Sequence, residues 1–382
     1  MNPLNPVFAI IIYFIALVTA YIINLNFRII NEIRRFETID GIRGFLALGV
    51  FIHHSSIWYQ YLQNKSWEAT KSNFYNQLGE LSVSFFFMIT AFLFITKLLN
   101  AKKDKMNWSF FFISRFFRLV PMYLVSIFTL VIIVFIISNW EMKVALIQLV
   151  REIFCWITFT IPGSPLINDV SYTQIINAGV AWSLPYEWLF YFSLPIIFIL
   201  IQKTNTSKIY IIISLLFILA FCKYKSISPN HIFSFICGSI TPFLLRFSKE
   251  INLFKSHFFS LIILICLAII LFIPISNYYI CNILAFIIFN LIVLGNSIFG
   301  ILKNNLLKFL GDISYSTYLI HGIIIFVEMY FFYGIKTAAN LSPVRFCVSI
   351  FVITPIVVLV SFLTYIFIEK PLMNYSKKFL LK

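Results

Sequence analysis

Few side chains in this 382-residue chain can carry acid–base chemistry, and the most informative stand close together. The run Asp40-Gly41-Ile42-Arg43-Gly44 leads to His53-His54. Arg43 and His54 are eleven residues apart. On a helix that spacing turns about 1100°, within ~20° of three full turns. The two therefore share one face, with the imidazole about 16 Å beyond the guanidinium, while His53 points about 80° away. A neutral imidazole offers one lone pair and one donor, so His54 is a candidate general base. His53 reads first as a hydrogen-bonding partner of a neighbouring helix. Asp40 fits an N-cap, where its carboxylate would accept from orphan amides.

Two further groups qualify. Arg115 and Arg118 are i, i+3 neighbours on a helix face. Guanidinium forks suit phosphate oxygens, and lipid anchoring is the plainer alternative. The segment Trp182-Ser183-Leu184-Pro185-Tyr186-Glu187 places a carboxylate about one turn inside a helix. An acid at membrane depth needs a partner, and the expected one is His54. Trp182, Tyr186, Trp188 and Tyr191 fit an interfacial aromatic belt. Asp312, Ser314 and His321 line a later helix; His321 divides evenly between packing and site lining. Glu80 reads as a solvated residue at the outer end of a helix, and His231 and His257 read as structural. No pair among the six cysteines has a metal-ligand or redox spacing, and no metal is expected.

The elements that must position these groups are membrane helices. Hydrophobic residues make up 61% of the chain and charged residues 11%, against about 25% charged in soluble domains. Apolar runs of about 20 residues recur, each long enough to cross ~30 Å of hydrocarbon. The expected fold is all-α, a polytopic bundle of about eleven spanning helices near 7–25, 41–60, 78–98, 117–138, 183–201, 208–222, 229–246, 257–275, 277–299, 312–332 and 345–368. The stretch 143–161 is apolar but carries Lys143, Arg151 and Glu152, and reads as interfacial or re-entrant. With the N-terminus outside and the C-terminus cytosolic, 21 of the 29 Lys and Arg fall on the cytosolic side, in accord with the positive-inside rule. Topology thus accounts for the net charge of +15, and nucleic acid is not an expected partner. The first apolar run has no basic region before it and no cleavage site after it, and reads as a helix rather than a leader.

Taken in order, these motifs resemble the acyltransferase-3 family of membrane O-acyltransferases, which modify saccharides of bacterial envelopes. The resemblance covers residues 36–375, leaving 1–35 as an extra helix with a cytosolic linker and 376–382 as a basic tail. Asp40 to Gly44 with His54 is similar to the family's opening motif, and Phe86 to Leu93 to its second, with Thr90 and Ala91 departing from the usual Ser-Gly. Arg115, Arg118, Pro121 and Tyr123 resemble its arginine motif, and Trp182-Ser183-Leu184 with Glu187 its Trp-Ser-Leu-x-x-Glu segment. Gly311 to Leu319 with His321, and Phe367 to Pro371, resemble its last two helices.

The resemblance implies an O-acetyltransferase of the inner (plasma) membrane. Acetyl-CoA or another acyl-CoA would be co-substrate, with no permanently bound cofactor. The acceptor would be a saccharide or lipid-linked glycan supplied by polysaccharide-synthesis machinery. His54, oriented by Glu187, would be the base, with Arg43 at the entrance and Arg115 and Arg118 on the donor. His53, Asp40, Trp182, Tyr186, His321 and Ser314 would line the site. Direct transfer and a covalent acyl-histidine both fit. The rival reading is a transporter or flippase for a lipid-linked saccharide. It predicts inverted repeats with paired broken helices, which the sequence does not display.

Overall fold

A computed structural model describes residues 2–27, 36–101, 106–202, 207–247, 252–274 and 277–379. The basic connections at 28–35, 102–105, 203–206 and 248–251, on which much of the charge bias rests, lie outside the described residues. Among those described, the fold is all-helical. The helices are α1 (Pro6–Phe27), α2 (Glu37–Asn64), α3 (Asn73–Asn100), α4 (Trp108–Ile137), α5 (Leu146–Ile157), α6 (Thr173–Ile176), α7 (Leu184–Gln202) and α8 (Lys208–Tyr224). They continue with α9 (Pro229–Phe247), α10 (His257–Phe272), α11 (Tyr278–Val293), α12 (Asn305–Asp312), α13 (Ser314–Val327), α14 (Ile335–Ala339), α15 (Pro343–Thr364) and α16 (Lys370–Phe379).

Among the described residues, six helices are long and apolar enough to cross a membrane: Pro6–Phe27, Asn73–Asn100, Trp108–Ile137, Val180–Gln202, Ser314–Phe332 and Pro343–Ser376. Large apolar side chains face outward along them and their neighbours, among them Phe14, Phe128, Leu219, Ile265 and Phe367. A water-soluble protein keeps such patches small; lipid makes them the favoured surface. The chain is a multi-pass membrane protein. The five other expected crossings coincide with α2 and α8 to α11. Of these, α2 is long but carries Asp40, Arg43, His53 and His54, while α8, α10 and α11 have only 17, 16 and 16 residues. The expected interfacial stretch contains α5, whose 12 residues reach about 18 Å, too short to span.

The helix α2 is the hub. Its first half lies against α12, and its second half against α3 and α13. Against α12 and the turn before it, Ile301–Lys303, α2 packs backbone to backbone. A Cβ on Gly41 would stand 1.9 Å from the Leu302 carbonyl oxygen, and one on Gly311 2.0 Å from that of Asp40. Small residues are what membrane helices use for close approach, because van der Waals packing rather than hydrophobic exclusion holds them together. On the other side, Gly238 of α9 meets the backbone of Met88 in α3. Ala91 is fully buried, and Thr90 faces a cavity. α2 begins at Glu37, so Asp40 lies inside the first turn rather than at the N-cap.

Candidate active site

Two cavities flank α2 at the levels of its two chemical residues. The first, about 240 Å³, is lined by Arg43, Arg115, Arg118, Glu187, Tyr191 and Ser314 among others. Three guanidiniums thus converge from α2 and α4. They are not equivalent. Arg118 Nη1 is 3.1 Å from Glu369 Oε1, and Glu369 also accepts from the Ser316 hydroxyl at 3.0 Å. Glu369 closes a π-helical turn, Tyr365–Glu369, which swings its side chain inward; π-turns of this kind are common at functional sites. Met373, one turn further on, packs its sulfur 2.9 Å from Arg118 and lines the cavity. Arg43 stands within electrostatic reach of Asp40, Asp312 and Glu369. Arg115 lies with its guanidinium carbon 4.9 Å from the centre of the Phe94 ring, and its Nε is buried without a hydrogen-bond partner. The Nε of Arg115 thus keeps unused hydrogen-bonding capacity beside the cavity.

The second cavity, about 200 Å³, is lined by His53, His54, Asn76, Glu80, Trp182 and Tyr318, with neighbouring apolar side chains. His54 Nδ1 lies 2.9 Å from Nε2 of His321, with the rings stacked at 27°. His321 Nδ1 lies 2.9 Å from the Thr317 carbonyl. A carbonyl only accepts, so the uncharged pair has a single proton order. His321 donates from Nδ1 to Thr317 and turns its Nε2 lone pair to His54. His54 then donates from Nδ1, leaving its Nε2 with a lone pair. By the same rule His53 donates from Nδ1 to the Tyr75 carbonyl, 2.9 Å away.

The expected His54–Glu187 pair does not form. Glu187 accepts from the hydroxyl of Tyr191, which lies within electrostatic reach of Arg115, and it faces the arginine cavity. The reason is the depth at which α7 starts. Residues 173–183 fold into the bundle rather than over it, with Thr173, Ile176, Asn177, Val180 and Ala181 all buried. Gly322, next to His321, permits this: a Cβ there would stand 2.5 Å from the Asn177 carbonyl carbon. The turn Val180–Ser183 is tied to α13 through Tyr318, whose hydroxyl donates to the Val180 carbonyl at 3.0 Å and lies 2.7 Å from the Ser183 hydroxyl. Glu187 therefore begins its helix level with the guanidiniums.

Nor do the nearby aromatics form a belt. Tyr186, Trp188 and Tyr191 are buried, and Tyr186 is fixed by the carbonyl of Ser226 and the amide of Ser228. Trp182 packs on His231, ring centres 4.6 Å apart, and forms a wall of the His54 cavity. Ser314 lines the arginine cavity, its hydroxyl without a hydrogen-bond partner.

This order of elements has a counterpart among known proteins. A family model for an acyltransferase domain, acyltransferase-3, matches residues 36–365, most of the chain. The protein belongs to the acyltransferase-3 family. No curated protein and no solved structure matches it. Membership makes the chain a membrane acyltransferase.

Sequence reading left three residues without a role that the structure brings to these cavities. Glu369 was visible only as part of a closing motif; its partner Arg118 is 251 positions away. Tyr318 was visible only in a polar run, yet with Val83 it lines both cavities. Glu80, partly exposed, lines the His54 cavity.

Proposed function

We propose that this protein is an O-acyltransferase that moves an acyl group, acetyl by preference, from cytosolic acyl-CoA to a hydroxyl of an extracytoplasmic or lipid-linked saccharide. The observation that carries the reading is that an arginine cavity and an imidazole cavity meet at one partition, Val83 and Tyr318. Donor phosphates bind the guanidinium side, foremost at Arg115, with Arg43 and Arg118 completing the positive field. The pantetheine arm runs along α2 past Tyr318 and presents the thioester near His54. The Nε2 lone pair of His54 takes the proton of the acceptor hydroxyl, its oxygen attacks the thioester carbonyl, and the thiolate leaves and recovers the proton. His321, held by Thr317, fixes the tautomer that makes this possible. Glu187 acts on the donor side, where its carboxylate and Tyr191 orient Arg115.

In this reading eleven helices cross the inner membrane, with the N-terminus outside and the basic C-terminal tail in the cytosol, so that α2 presents Arg43 inward and His54 outward. The test is acyl transfer from radiolabelled acetyl-CoA by the full chain in proteoliposomes supplied with envelope glycans, with mass spectrometry of the sugar product. His54→Ala should lower turnover by about 10²–10⁴-fold while acyl-CoA still binds. A well-folded His54→Ala variant with wild-type turnover rejects the mechanism, and no transfer by the wild-type chain rejects the activity.

A further inference from the structure

Acyl transfer engages one face of the His54 cavity and leaves unexplained what lies beyond it. A further cavity of about 210 Å³ opens between the first half of α3, the start of α9, and helices α10 and α11. Glu80 lines both. Its carboxylate makes no hydrogen bond or ion pair with any described residue, and the same is true of the side chains of Asn230, His231 and Asn282 around the further cavity. Asn282 is 7% exposed. A buried amide such as that of Asn282 is nearly always hydrogen-bonded, and the partly exposed Glu80, Asn230 and His231 are free to bond an occupant of the same cavity. The cavity therefore suits an occupant with many donors and acceptors. A carboxylate, two amides and an imidazole complement hydroxyls in both senses. No Lys or Arg lines either cavity, so a carboxylate- or phosphate-bearing ligand would meet Glu80 without a counter-charge. Trp182, between His54 and His231, supplies a flat apolar wall of the kind the carbon-bound face of a sugar ring packs against. Each lobe is smaller than the ~300–1,000 Å³ of a drug-sized pocket, a size for one ring apiece.

We infer that the two lobes joined at Glu80 form a saccharide site for uncharged sugars. The ring to be acylated sits against His54, Trp182 and Glu80, and the adjoining ring occupies the lobe of Asn230, His231 and Asn282. The assignment rests on the acyl-transfer reading for its biological purpose, and its test does not need the donor. Saturation-transfer NMR on the purified full chain, without acyl-CoA, would use maltose, lactose and cellobiose, methyl glucoside as a single ring, and cellobiouronic acid as a charged counterpart. At least one neutral disaccharide should bind, methyl glucoside more weakly, and the uronate at least about tenfold more weakly than its neutral parent. Glu80→Gln and Asn282→Leu should each weaken disaccharide binding by about tenfold, with acyl-CoA affinity unchanged as the check on folding. Asn230→Ala, at a half-buried position, should act in the same direction. Undiminished binding by Glu80→Gln and Asn230→Ala, equal binding of the uronate, or no binding of any neutral disaccharide by the wild-type chain would overturn the site. Sugar binding without acyl transfer would instead leave the site standing and remove the catalytic reading.

Discussion

At the scale of single residues, the central fact is a chain of hydrogen bonds with one permitted direction. Thr317 can only accept, so His321 presents a lone pair and His54 presents its own at Nε2. His321→Ala removes the acceptor that fixes this tautomer while leaving His54 in place. The expected result is a fall in kcat of about tenfold, one hydrogen bond's worth, with the KM for acyl-CoA unchanged. The double variant with His54→Ala should be no slower than His54→Ala alone, because both act through one proton; steady-state kinetics of the four proteins decides it. The arginines separate in a different way. Arg115→Ala should raise the KM for acyl-CoA about tenfold with little change in melting temperature. Arg118→Ala leaves Glu369 buried without its ion pair and should chiefly lower the melting temperature. Parallel kinetics and thermal unfolding in detergent distinguish the two. Reversed outcomes would mean that Arg118, not Arg115, holds the donor.

At the scale of elements, glycine decides how closely the helices that carry the site can approach. The packing of α2 against α12 and the turn before it places Arg43 near Asp312, and it exists because neither Gly41 nor Gly311 has a Cβ. A methyl at either position meets a backbone carbonyl that cannot move independently. Gly41→Ala and Gly311→Ala should each destabilise by about 1–3 kcal/mol or more, read as a lower melting temperature in detergent. Gly322→Ala should act more on activity than on stability, because the backbone it displaces, Asn177–Ala178, leads straight to the Tyr318 latch and Glu187. The resemblance to known motifs included Gly41 and Gly311; the packing explains them as points of contact.

For the whole molecule the question is orientation. The arginine cavity opens near the end of α3 and the start of α4, and the His54 cavity near the start of α3. In the orientation proposed above, the first faces the cytosol. In a background where the exposed Cys222 is replaced by Ser, Lys65→Cys should react with a membrane-impermeant maleimide on intact cells, and Lys303→Cys only after permeabilisation. Labelling of Lys303→Cys on intact cells would reverse the topology and with it the direction of acyl flow.

The sequence by itself determined the class of fold and the family. Hydrophobic length and charge bias are local properties, and the face shared by Arg43 and His54 follows from helix geometry alone. Tertiary structure decided the pairings. Glu187 was assigned to His54 because the expected topology puts the start of its helix and the second half of α2 toward the same, outer side of the membrane. Its actual place depends on how deeply residues 173–183 enter the bundle, and that is set by Gly322, 135 positions away. His321, evenly balanced between packing and site by sequence, gained its role from a neighbour 267 positions distant. Depth and partnership are long-range contacts, fixed by backbones that meet where side chains are absent, and no period within a single helix encodes them.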